Sequence, residues 1–203
     1  ADTEALLLPL IEKSIREMFG DDPQTSDSYG RMVNDRHFGR VSDFIASGHT
    51  AIGGQCDAND RYIAPTVLTD VETDSAVMKE EIFGPVLPMV RAENIEEAIA
   101  FVRAGDKPLA AYIFTNDKGA ERKFLEQISC GSACINDVMM FMTVHELPFG
   151  GVGPSGMGAY SGQRGFETFS HMKSVMKRGW RPDLDIRYAP YTEKKFKFLR
   201  KIR

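Results

Sequence analysis

The sequence predicts an α/β fold, a largely parallel sheet covered by helices, and three observations carry that prediction. Short apolar runs alternate with amphipathic stretches of about ten residues, the pattern of βαβ units. The helical stretches open on Asn34, Asn94 and Asn116, residues whose side chains suit N-caps. Gly and Pro punctuate the boundaries, as at Gly20 and at Gly84-Pro85.

In order, Leu7, Leu10, Ile11, Ile15 and Met18 recur at helical spacing between Glu4 and Phe19, with Gly20 as the stop. Pro9 fits that helix only in its first turn. Asp21 to Ser28 reads as a polar loop. A helix from Asn34 to about Ala46 puts Phe38, Val41, Phe44 and Ile45 on one face. His37, near its start, reads as a surface or packing residue, because no second metal ligand stands three or four positions away. Ala51-Ile52 and Tyr62 to Leu68 read as strands, the second an edge or bulged strand because it carries Pro65. A short helix at Ala76 to Lys79 precedes a strand at Val86 to Val90. Then come a helix from Ile95 to Val102, a strand at Ala110 to Phe114, a helix from Asn116 to about Ile128 and a strand at Ala133 to Asn136. Arg164 to Ser170 is a short helix or turn, and Lys173 to Lys177 alternates as a strand does.

At 203 residues the chain is one large domain or part of a larger protein, and 42% hydrophobic residues make it globular. A net charge of -4 argues against nucleic-acid binding, which needs a basic face. Three cysteines, Cys56, Cys130 and Cys134, form an odd set without CxxC spacing, which favours free thiols in a reducing, intracellular compartment. No apolar run reaches the ~18 residues of a membrane span. The end, Glu193 to Arg203, interleaves Lys and Arg with Phe196, Phe198, Leu199 and Ile202. It reads equally as a membrane-surface segment or as a solvated helix with a few docked apolar residues.

The most informative stretch is Glu80-Glu81-Ile82-Phe83-Gly84-Pro85, which ends one element and leads into an apolar run. A carboxylate at such an edge suits a vicinal diol such as a ribose, whose hydroxyls can both donate to it, and Phe83 could back a flat ring. On these six residues alone, a solvated helix end with a core Phe is the simpler account. Gly151-Val152-Gly153-Pro154-Ser155-Gly156 spells GxGxxG, but it follows no buried strand, Pro154 has no amide for a phosphate, and no helix begins after it. We read it as backbone passing close to a ligand or another segment.

Glu-Glu-Ile-Phe-Gly-Pro-Val at 80–86, Leu147 to Gly158 (LPFGGVGPSGMG) and Phe166 to His171 (FETFSH) together resemble the C-terminal part of an aldehyde dehydrogenase, in the class 3 (fatty and aromatic aldehyde) branch. The resemblance runs from about residue 3 to about residue 190. It implies a catalytic-domain portion over 1–170, an oligomerisation strand over 171–180 and a tail over 181–203. It also implies a parent enzyme, a homodimer, that oxidises an aldehyde with NAD or NADP through a cysteine thiohemiacetal and thioester. By position, Glu81 would hold the nicotinamide-ribose hydroxyls, Phe83 would pack beside the nicotinamide, and Asn136 would support the nucleophile's loop. Met140, His145, Tyr160 and Ser161 would line the substrate pocket, and the soft run from Met139 to Val144 an aldehyde entrance, although core packing accounts more simply for at least half of that run. Ser161 stands where class 3 members commonly carry His. The nucleophilic Cys, in a Gly-Gln-x-Cys stretch, and the general-base Glu are expected upstream of residue 1. Cys56, after Gly-Gly-Gln, lies far from that position, and Cys130 and Cys134 read as structural. No metal is expected, and the chain alone should be inactive. The alternative is a standalone, non-enzymatic chain that binds an intact subunit through its terminal strand.

Overall fold

The computed structural model describes residues 2–201, so Ile202 and Arg203 of the tail lie outside the described residues. The chain divides into two compact units, one ending at Gly105 and one beginning at Asp106.

The first unit opens on α1 (Asp2–Phe19), closed by Gly20, whose amide bonds the Arg16 carbonyl at φ +84°. Pro9 lies well inside α1, past its first turn, contrary to expectation. Both Pro9 and Ala5, whose carbonyl loses its bond to the missing amide, are exposed, so the missing bond falls on the solvent side of the helix. Asn34 caps α2 (Asp35–Asp43) by accepting from the His37 amide at 2.9 Å, and a 3₁₀ turn carries the chain on to Ser47. Strands β1 (His49–Ile52), β4 (Thr66–Thr69) and β5 (Val86–Pro88) form one sheet with β4 central, antiparallel to β1 and parallel to β5. Strands β2 (Cys56–Asp57) and β3 (Tyr62–Ile63) form an antiparallel pair.

The stretch read as a single edge or bulged strand from Tyr62 to Leu68 is therefore two strands, and the second is central. Ala64 still donates to Gln55 and Thr66 to Pro85, so the amide that Pro65 lacks falls in the gap between two ladders. Helix α3 (Ala76–Lys79) and α2 close over the sheet around Val41, Phe44, Ile63, Leu68, Val71, Val77 and Val86. Asn94 then caps α4 (Ile95–Ala104), which buries Ile99.

The second unit begins as a βαβ unit: β6 (Ala110–Ile113), α5 (Lys118–Gln127) and β7 (Ser132–Ile135), with β6 and β7 parallel and in register from Ala110–Ser132 to Ile113–Ile135. The cap of α5 is Asp117, one residue beyond the Asn116 expected; its carboxylate accepts from the Gly119 amide at 2.7 Å. Ile113 on β6 and Phe124 on α5 are both buried. Helices α6 (Gly162–Thr168) and α7 (Glu193–Leu199) follow. The α/β class is the one the sequence predicts, with parallel pairing at β4–β5 and β6–β7. Residues 171–179 form no ladder within the chain, and Val175 and Met176 are exposed. The strand read at Lys173 to Lys177 does not form among the described residues.

Candidate functional site

In the first unit the loop from Glu80 to Pro85 leaves α3 and enters β5. Its conformation is set from α2. The Arg40 guanidinium donates to the Glu81 carbonyl at 3.0 Å and to the Ile82 carbonyl at 2.8 Å, and meets the Glu80 carboxylate at 3.4 Å. The same guanidinium lies over the Phe44 ring, 5.1 Å from its centroid, so a core aromatic fixes the clamp in turn. Ile82 packs against the core, and a Cβ at Gly84 would come 2.6 Å from Val41 Cγ1, so the loop lies flat on α2. Phe83 takes φ +45° and is 74% exposed. That overturns the reading of Phe83 as a core residue. Ile82 fills the core, and the left-handed turn throws the next side chain outward. Glu81 is exposed, and Arg40 engages its main chain rather than its carboxylate. An outward carboxylate beside an outward ring can accept from a diol and cover a flat heterocycle. Arg40 escaped the sequence reading because the carbonyls it holds lie more than forty positions away, and no residue pattern marks them.

In the second unit Asn136 follows β7 at φ +58°. Its Oδ1 accepts from the Thr115 amide at 2.7 Å and its Nδ2 donates to the Thr115 carbonyl at 2.9 Å, while its own amide bonds the Ile113 carbonyl. Both ends of the amide are thereby engaged in tying the ends of β6 and β7 together. Met139, at φ +58°, starts a 3₁₀ turn over Met140–Thr143, and Met140 is half exposed. Phe149 and Tyr160 exchange two main-chain bonds of 2.9 Å, and their rings meet edge to face at 5.5 Å. Ser161 takes φ +77° before α6, and Gly162 comes so near the His145 carbonyl that a Cβ would lie 2.9 Å from it. Tyr160, Ser161 and His145 are thus gathered around one crossing of the chain. Met140 belongs to the turn just before it.

The glycine loop behaves as read. Gly153, Gly156 and Gly158 have positive φ, and Ser155 Oγ accepts from the Val152 amide at 2.9 Å while Gly156 donates to Gly153. Amides engaged within the loop are not offered to a phosphate, so its shape comes from tight crossing. No group of three or more metal-ligating side chains occurs among the described residues. Cys56, Cys130 and Cys134 are free thiols, and burial pushes the Cys56 and Cys130 thiols up, away from the thiolate that a nucleophile requires.

Residues 4–175 match the sequence model of the aldehyde dehydrogenase family. The chain belongs to the aldehyde dehydrogenase family. Human aldehyde dehydrogenase family 3 member B1 is 45% identical over 197 residues, which are 95% of this chain and 42% of that protein. The mouse dimeric NADP-preferring aldehyde dehydrogenase is 48% identical over 182 residues, 89% of this chain and 40% of its own length. Among solved structures, substrate-bound AldH of Staphylococcus aureus superposes with a TM-score of 0.87 at 39% identity, covering 99% of this chain and 44% of that one. An aldehyde dehydrogenase of Mycobacterium tuberculosis complexed with NAD+ gives 0.68 at 31% identity, over 80% of this chain and 34% of its own. This aldehyde dehydrogenase chain thus spans about two fifths of the length of these relatives.

Proposed function

We propose that the chain is the C-terminal, catalytic-domain portion of an NAD- or NADP-dependent aldehyde dehydrogenase, which oxidises an aldehyde to a carboxylic acid through a cysteine thiohemiacetal and thioester. The observation that carries this reading is the outward pair Glu81 and Phe83 on the loop that Arg40 clamps. A nicotinamide cofactor supplies the hydride acceptor. Glu81 then accepts hydrogen bonds from the ribose hydroxyls, and Phe83 covers one face of the ring and keeps water from it. Asn136 holds the β6 and β7 ends steady, and Tyr160, Ser161, His145 and Met140 face the aldehyde. Nucleophile and general base come from the parent polypeptide, since none of Cys56, Cys130 and Cys134 lies in a Gly-Gln-x-Cys stretch.

The 203 residues alone should be inactive, and aldehyde-dependent NAD(P)H formation by the pure chain would contradict that. The first measurement is the intact mass of the native polypeptide carrying Glu80 to Gly84. A mass of 22.6 kDa would remove the enzyme reading and leave a non-enzymatic chain that binds an intact subunit. In the full-length enzyme, Glu81→Gln should raise the cofactor KM and lower kcat; unchanged kinetics would remove Glu81 from the site.

We further propose that the parent is an intracellular homodimer paired through residues 171–180, with the tail touching a membrane surface. Exposed Val175 and Met176 support the first, and exposed Phe196, Phe198 and Leu199 among lysines of α7 support the second. Lys195 bonds Asp185 and the Tyr188 carbonyl, so it is committed within the tail. No described helix is long and apolar enough to cross a membrane.

A further inference from the structure

Four rings of the second unit stand in a row. Tyr112 on β6 and Phe141 in the 3₁₀ turn stack with centroids 6.2 Å apart at 30°, and Phe141 and Phe149 stack at 6.1 Å and 21°. Phe149 then meets Tyr160 edge to face at 5.5 Å and 72°. Tyr160 belongs to the set that the resemblance assigns to the aldehyde pocket and Phe141 to the run read as its entrance; Tyr112 and Phe149 belong to neither. The row links three pieces of chain: a strand, the methionine turn and the glycine loop.

Each piece is fixed at its own backbone. The turn that presents Phe141 is closed by bonds from Met142 to Met139, from Val144 to Phe141 and from Thr143 Oγ1 to Met140. Phe149 and Tyr160 are locked by their paired main-chain bonds. Between turn and loop, the ring contact is Phe141 against Phe149. Ring pairs of this kind prefer offset or edge-to-face geometry, so shifting one ring shifts the angle of the next.

We infer that Phe141 is a positioning residue for the aldehyde pocket: packed between Tyr112 and Phe149, it sets through Phe149 the angle at which Tyr160 meets the substrate. The inference rests on the reading of Tyr160 as a pocket residue. Phe141 itself holds the 3₁₀ turn against the loop, so Met140 and Tyr160 keep a constant separation. Without that ring, the turn and the loop move independently and the wall offered to a bulky aldehyde loses its shape. A two-carbon aldehyde, too small to span the wall, is unaffected.

The test uses the full-length enzyme with two aldehydes, acetaldehyde and benzaldehyde, and separate measurement of KM and kcat. Phe141→Leu should raise the benzaldehyde KM by about five- to tenfold, the size of one lost aromatic pair. The acetaldehyde KM and the NAD KM should stay within about twofold. Phe141→Tyr, which keeps the stacked ring, should restore the benzaldehyde KM, and Tyr112→Leu should give a smaller rise in the same direction. Because Phe141→Leu keeps a large apolar side chain at a partly exposed position, it should fold, and an unchanged NAD KM confirms that it has. Equal rises for both aldehydes, or failure of the tyrosine variant to rescue, would reduce Phe141 to a packing residue and overturn the inference. Tyr160→Ala separates the two claims. If it leaves both KM values unchanged, the pocket reading fails; if it moves the benzaldehyde KM while Phe141→Leu does not, only the positioning role fails.

Discussion

The loop from Glu80 to Pro85 and the loop from Phe149 to Gly162 both lack regular structure and both carry proposed ligand contacts, yet they are held by different means. The first is gripped by side chains: Arg40 takes its carbonyls, and Ile82 and Gly84 lie on a core that includes the fully buried Val41. The second is gripped by its own backbone, through the Phe149–Tyr160 bonds and glycines packed against main-chain atoms. A loop held by side chains is loosened by trimming them. A loop held by close main-chain crossing is broken by adding a single carbon.

That contrast ranks the substitutions that would break it. The largest effect should come from Gly150→Ala or Gly151→Ala, whose Cβ atoms would collide with the Gly158 and Ser155 carbonyl oxygens. Backbone cannot step aside as a flexible side chain can, so each should cost about 3 kcal/mol or more in denaturant unfolding. A cost under about 1 kcal/mol would mean that the crossing is looser than described. Next is Val41→Ala beneath the other loop, where removing two buried methyls should cost about 2 kcal/mol and raise the cofactor KM as the Gly84 contact slackens. An unchanged cofactor KM would uncouple the core from the loop.

Arg40→Lys sharpens the comparison further. Lysine keeps the charge but cannot fork across two carbonyls, so stability should fall by about 1 kcal/mol while the cofactor dissociation constant rises several-fold. Equal cofactor binding by the two forms would show that the loop holds itself. The smallest effect belongs to a surface ion pair of the first unit. Arg91 forks onto the Glu4 carboxylate at 2.6 and 2.9 Å and lies 3.3 Å from Asp70. The Arg91 hydrogen bonds hold the Glu4 carboxyl below the usual glutamate range. A lowered carboxyl contributes stability above its unfolded value, which is lost as pH falls through the folded one. The thermal midpoints of wild type and Glu4→Gln should therefore differ slightly at neutral pH and converge on acidification below the glutamate range. A gap that persists in acid would assign the difference to something other than charge.

Local grammar was readable in the sequence where partner and signal lie within a few residues. Asn34 and Asn94 cap the amides three positions on, and Gly20 ends α1 through a bond to Arg16. Proline was misjudged twice, because its penalty depends on what its missing amide would have bonded. At Pro9 the missing bond falls on the solvent side of the helix, and at Pro65 the gap falls between ladders. The site divided the same way. The family resemblance pointed to Glu81 and Phe83, but Phe83's left-handed backbone, which turns its ring outward, had no mark in the sequence. Arg40 was hidden because a guanidinium that binds carbonyls selects for no residue type at the far end. Asn136 stood out after an apolar run, but the two bonds that engage its amide at Thr115 required coordinates.

Along α1, Ile11 and Ile15 are half-buried while Leu6, Leu10 and Met18 remain in water, with Leu6 72% exposed. At the bench that stripe decides how the isolated chain behaves. It should be retained on phenyl resin, scatter light as it is concentrated, and be kept in solution by mild detergent, all with its far-ultraviolet dichroism unchanged.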